Sequence, residues 1–252
     1  MTIYQSCSDI CNQAKNKLDG KYGAVTLFAM FYYALSINAN TLLSTFASSI
    51  ADSVGRLSGL NSPTFTGILF YLLCVFFTIL IGMVRAGLAL YFLNLVCGGT
   101  FTYFQLFHGY QEDFRKTFCL SLIVTVIQEI CMLPYQYVSH VQVTSENIMI
   151  APLAGSYVLG ALLFTITVLG ISQVFYLLLD FPELSVKELL QKSNQLMKGH
   201  RMRYLCLQLR FVPMLLLGIL SLGIGMFWVL PYVNTATTIF FLDLMNPQKK
   251  EA

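Results

Sequence analysis

Residues 66–95 read TGILFYLLCVFFTILIGMVRAGLALYFLNL, with Arg85 as their single charge. About 20 predominantly apolar residues suffice for a helix to cross the hydrocarbon core of a bilayer, and this run is longer than that. Similar apolar runs, separated by short polar joints, continue from residue 22 to residue 245. A soluble domain of 252 residues has too little interior to bury several such helices. The chain therefore reads as all-α: a polytopic membrane helix bundle forming one integral membrane domain over residues 1–252.

Composition points the same way. Hydrophobic residues make up 56% of the chain and charged residues 11%, and the mean hydropathy is +0.68. Soluble domains carry about 25% charged residues, so this chain lacks the charge to cover a water-exposed surface. A net charge of +3 and a pI near 8.4 are mild and give no reason to expect nucleic acid as a partner. The opening residues, MTIYQSCSDICNQAKNKLDG, contain no apolar core of a signal peptide, so the first membrane helix is expected to act as its own targeting signal. The cysteines (Cys7, Cys11, Cys74, Cys97, Cys119, Cys131 and Cys206) are odd in number, lack a C-x-x-C pair and mostly lie in apolar runs. They read as reduced side chains rather than disulfides.

Hydropathy predicts six transmembrane helices, as three hairpins, at about 22–45, 66–95, 117–138, 152–179, 204–230 and 231–246. The last is short: residues 233–245 give about 20 Å of helix. Lys15, Lys17, Lys21, Arg115, Lys116, Lys187, Lys192, Lys198, Arg201, Arg203, Lys249 and Lys250 all fall on one side of this topology. The other side has Arg56, and the loop 140–150 has neither Lys nor Arg. An excess of Lys and Arg marks cytoplasmic loops, so both termini are expected in the cytoplasm and the protein in the cell membrane.

Three glycines, Gly20, Gly109 and Gly199, each end a helix-like stretch before a membrane hairpin and stand 89 and 90 residues apart. That spacing predicts parallel repeats over 1–95, 96–180 and 181–252. The third lead-in is the best defined. Ser185 and Glu188 fit a capping box, Gly199 fits the position just past a helix end, and Val186, Leu189, Leu190, Ser193, Leu196 and Met197 form one stripe at helical spacing. Ile3, Cys7, Ile10, Cys11, Ala14 and Leu18 form a similar stripe. Both predict cytoplasmic interfacial amphipathic helices. The pairs Pro134-Tyr135 and Pro231-Tyr232 are expected to close the third and fifth spans at the outer face. Leu43, Phe46, Ile50, Val54 and Leu57 suggest a further interfacial helix within 40–63.

Towards the C-terminus the sequence carries Asp180-Phe181-Pro182, Ser193, Leu196-Met197-Lys198-Gly199, the basic cluster at Arg201 and Arg203, the glycines from Gly218 to Gly225, and Pro231-Tyr232. This pattern resembles an uncharacterised bacterial integral membrane family, the domain of unknown function number nine-seven-five. The resemblance is strongest from Asp180 to Tyr232. It departs at Arg210-Phe211-Val212-Pro213, where the family pattern implies a tryptophan near Pro213. The resemblance implies a six-helix bundle in a bacterial inner membrane and brings no catalytic residues with it.

Ionisable residues inside a span are costly and are functional candidates by default. Glu129 lies near the middle of the third span and Arg85 lies in the second. The two are expected to form an intramembrane pair, read either as a structural ion pair or as a site for a polar substrate or proton. Asp180, Asp243 and Arg210 read as solvated interface positions. Asn234, Thr235, Thr237 and Thr238 read as interhelical hydrogen-bonding groups.

No Walker A loop, G-x-S-x-G or H-E-x-x-H occurs, and His108, His140 and His200 fall on at least two sides of the membrane. Neither an enzyme, a metal nor a cofactor is expected. The leading reading is a partner- or lipid-binding accessory membrane component. Its contacts would run through Lys187, Lys192, Lys198, Arg201 and Arg203, which face the bilayer, anionic lipid headgroups or another membrane protein. The alternatives are a small-solute or lipid transporter working through the Glu129 region, and an outward-facing sensor or immunity-type protein using residues 40–63.

Overall fold

The computed structural model describes residues 2–58, 63–99, 102–111, 114–144, 150–221, 223–246 and 248–249. In chain order the helices are α1 (Cys7–Leu18), α2 (Tyr22–Ser58), α3 (Pro63–Gly82) and α4 (Val84–Cys97). A 3-10 turn follows at Tyr103–Phe107, then the short α5 (His108–Gln111), α6 (Phe114–Thr144), α7 (Ile150–Val168) and α8 (Val174–Asp180). The chain ends with α9 (Val186–Met197), α10 (Arg201–Leu220) and α11 (Met226–Met245). Three helical hairpins result: α2 with α3, α6 with α7, and α10 with α11. Thr2–Ile3 pairs antiparallel with Gln248–Lys249, so the two chain ends lie side by side.

Local sequence accounts for the short helices. Ser6 caps α1: its Oγ accepts from the Asp9 amide at 3.2 Å while its own amide donates to Asp9 Oδ2. Ser185 and Glu188 form the expected reciprocal box at α9, with the Ser185 amide 2.8 Å from Glu188 Oε2. Gly20 and Gly199 follow α1 and α9 with φ of 72° and 88°, the left-handed region in which a Cβ is strained. Gly109 differs. It is buried within α5, where an added Cβ would lie 2.6 Å from the Met83 carbonyl oxygen.

The core gathers where α1, α4, α8, α9 and α11 meet. From α4, Val96 joins the cluster around α1 and α10, Tyr91 and Phe92 join that around the start of α2, and Ala89 joins that around α8. Phe28 stacks on Tyr91 at 3.5 Å between ring centroids, and Tyr176 stacks on Phe241 at 5.1 Å. The hairpin arms are different. Ile68, Leu72, Ile130, Leu133, Leu162 and Ile166 are all exposed, far more apolar surface than a water-facing monomer carries. Among the described residues, five helical stretches are long and apolar enough to cross a membrane: 67–97, 114–139, 151–168, 201–220 and 226–245. Buried residues make up 56% of the crossing window in α11 and 6% of that in α7, which makes α11 central and α7 peripheral.

Several expected boundaries are corrected. The expected second span is matched by the stretch 67–97, with a one-residue turn at Met83 between α3 and α4, whereas the fourth ends at Val168, before the separate helix α8. The first expected span continues to Ser58 as one helix, so residues 40–58 form no separate interfacial helix. Phe46 and Val54 are exposed on it, while the side chains of Leu43 and Leu57 lie outside the described ones. Pro134 and Pro231 sit inside α6 and α11 instead of ending them. Neighbouring helices and hydroxyl side chains make proline tolerable within such helices. The glycines after Leu220 form the turn, with Gly223 at φ 85°. An added Cβ on Gly225 would lie 2.9 Å from Gly218 Cα, which brings α10 and α11 together there. The last helix is therefore 20 residues, about 30 Å long and sufficient for the hydrocarbon core.

Candidate functional site

The basic residues around α9 divide into two groups. Lys187 and Lys198 are exposed on the face opposite the buried Leu189, Ser193 and Met197. The others are engaged within the fold. Lys192 Nζ sits 3.1 Å from the centroid of the Phe181 ring, and Arg201 donates to Asn194 Oδ1. Ser193 Oγ donates to the Gly170 carbonyl at 3.0 Å. An added Cβ on Gly170 would lie 2.8 Å from Asn194 Oδ1, so its missing side chain makes room for α9. Around the Gly199 turn, Asn194, Gln195, Lys198, Gly199 and Arg201 line an open depression of about 380 Å³.

Arg203 is not a surface contact. Its guanidinium pairs with Asp243 of α11, with side-chain exposures of 17% and 2%. Arg203 Nε and Nη2 also donate to the Gln5 carbonyl at 3.1 and 2.6 Å, and the Gln5 amide donates to Asp243 Oδ1 at 3.3 Å. Asp243, expected in solvent, thus joins the chain start to the ends of α10 and α11. Tyr4 packs against His200 at 4.2 Å between ring centroids.

Burial pushes the His200 imidazole below its ordinary range; the Arg203 charge adds to this and Asp243 opposes it. The folded state therefore favours neutral His200. Its contribution is present above the ordinary value of 6.5 and is lost as pH falls below it. Acidification from about pH 7.5 to about 5.5 is expected to lower the thermal stability of the detergent-solubilised protein more than that of His200→Gln. Equal loss in the two proteins would contradict this role for His200.

Arg85 and Glu129 are not brought together. Glu129 Oε2 accepts from the Tyr71 hydroxyl at 2.7 Å and from Gln136 Nε2 at 2.9 Å. Arg85 lines a separate cavity of about 190 Å³ with Thr78, Ser121, Thr125 and Gln128. The reason is register along the antiparallel helices. Tyr71 faces Glu129, and a Cβ on Gly82 would touch Ser121 Oγ at 3.3 Å. Arg85 lies fourteen residues beyond Tyr71, about 20 Å of helical rise. Asp180, the third ionisable residue read as solvated, is exposed, and partial burial raises its carboxyl above the ordinary range while Lys192 opposes the shift.

A cavity that sequence reasoning missed lies between α1, α10 and α11. It measures about 670 Å³ and is lined by Cys11, Lys15, Tyr22, Arg210, Phe211, Met214, Trp228, Val229 and Tyr232. Arg210 Nη1 donates to Ser8 Oγ at 2.7 Å, and the Tyr232 hydroxyl donates to the Cys11 carbonyl at 3.2 Å. The available signals were a lone arginine within an apolar span and the single tryptophan; neither shows which helix lies alongside. Among the described residues, no three His, Cys, Asp or Glu side chains are grouped to hold a metal ion.

No curated protein matches this chain, and no solved structure does. The family model described as a protein of unknown function (DUF975) matches residues 1–248, nearly the whole length, and the chain belongs to that family.

Proposed function

We propose that the protein is a non-enzymatic membrane component that binds anionic lipid at its cytoplasmic face, with both termini on that side of the cell membrane. The observation that carries this reading is the depression at the Gly199 turn. There Lys198 and Arg201 border a space of about 380 Å³ together with the Asn194 and Gln195 amides. Two cations and two amides suit a phosphate headgroup. Lys187 extends the positive charge along the exposed face of α9. A cation near an anionic membrane surface contributes about 1 kcal/mol. The paired chain ends support an even number of crossings, and the distribution of Lys and Arg supports the cytoplasmic assignment. The order of α1, α5 and α9, each ahead of a hairpin, supports reading the chain as three parallel repeats.

The test is mass spectrometry of what co-purifies with the full chain in mild detergent. The wild type should retain anionic over zwitterionic phospholipid, and Lys187→Gln/Lys198→Gln should lose a measurable part of that enrichment. Unchanged enrichment would reject the reading. A stoichiometric membrane-protein partner would instead favour an accessory subunit.

A transporter is the second reading, favoured by the polar cavity around Arg85. It gains if solute flux in proteoliposomes falls on Arg85→Gln.

A further inference from the structure

We infer that the cavity between α1, α10 and α11 holds one lipid, its anionic headgroup between Lys15 and Arg210 and its acyl chain along Met214 and Trp228. The inference rests on the lipid-binding reading for its ligand class but uses residues separate from α9. About 670 Å³ lies within the range of small-molecule sites, roughly 300–1,000 Å³. The lining has two cations and no carboxylate, so its field selects an anion. Lys15 is exposed on α1, while the Ser8 hydroxyl fixes one nitrogen of Arg210.

The other side of the cavity is apolar and open. Phe211 and Val229 are buried beneath it, whereas Met214 is 40% and Trp228 56% exposed. A free inorganic anion has no use for that half of the site; a lipid chain does. Placement along α10 agrees. Before Arg210 the exposed side chains of α10 mix charge with apolar groups, Arg201 with Met202 and Leu209. After it the exposed large apolar residues are Val212, Met214, Leu216, Leu217, Ile219 and Leu220. Arg210 is thus the last charge on α10, with an unbroken apolar stretch beyond it to take an acyl chain.

Trp228 is the only tryptophan in the chain, so its fluorescence reports on this cavity directly. The full chain in phosphatidylcholine nanodiscs is titrated with phosphatidylglycerol brominated on its acyl chain, and with brominated phosphatidylcholine as the comparison. Saturable quenching of Trp228 at low mole fraction is expected for the anionic lipid alone. Removing one cation, by Lys15→Gln or Arg210→Gln, should raise the half-saturating fraction about fivefold. Lys15→Glu, at an exposed position with no role in packing, should abolish the preference even if the Arg210 variant fails to fold. Lys187→Gln/Lys198→Gln should leave the quenching unchanged, which separates this site from the α9 surface. Equal quenching by both lipids, or a preference indifferent to Lys15, would overturn the inference. Displacement by millimolar inorganic phosphate would overturn it too, by showing that the site takes a soluble anion without a chain.

Discussion

Asp243→Asn is expected to destabilise the protein by about 3 kcal/mol, because it leaves Arg203 charged and largely buried without its counterion. Breaking a buried pair from one side costs about 3–5 kcal/mol; the 17% exposure of the Arg203 side chain places this case at the low end. The loss is not confined to one contact. Asp243 also receives the Gln5 amide, and Arg203 lies over the Tyr4 and Phe240 rings at 5.3 and 5.1 Å. The chain start should therefore come away from α10 and α11, giving earlier thermal unfolding in detergent and faster proteolysis before α1. Arg203→Met/Asp243→Leu removes both charges and should recover most of the loss. A single variant with wild-type melting would show that the ion pair contributes nothing.

Gly87→Ala is expected to cost about 3 kcal/mol or more through overpacking. The added Cβ would lie 2.2 Å from the Leu106 carbonyl oxygen and 2.4 Å from that of Gln105. These are backbone atoms, so no rotamer change relieves the clash. The turn at Tyr103–Phe107 would have to withdraw from α4, taking the buried Leu106 out of the cluster with Phe28 and Tyr91. Gly155→Ala is the control. Nothing lies within 4 Å of its added Cβ, and alanine suits a helix interior better by about 1 kcal/mol, so stability should hold or rise. Thermal unfolding of the two variants side by side tests the argument; equal melting would refute it.

The sequence carried the membrane class clearly, because crossing a bilayer needs a length of apolar chain that can be counted locally. The capping box at Ser185 and the glycine turn at Gly199 were legible for the same reason: their partners lie within four residues. Proline misled. Pro134 and Pro231 read as helix ends from local rules, yet both lie inside helices, as proline in a membrane helix can. Glu129 and Arg85 were recognisable as unusual, but their partners depend on how far α6 slides past α3 and the start of α4. That offset is set by contacts such as Gly82 on Ser121, which no spacing in the chain reveals.

By itself, then, the sequence determined that this is a helical membrane protein, where most of its helices lie, and which residues are too polar to be there without a reason. The tertiary structure decided what those residues do. Gln5, Arg203 and Asp243 meet although up to 238 residues separate them, and Lys15 and Arg210 share one cavity. Apolar patterning is a property of a single helix, whereas the pairing of charges depends on the register and crossing of several helices at once.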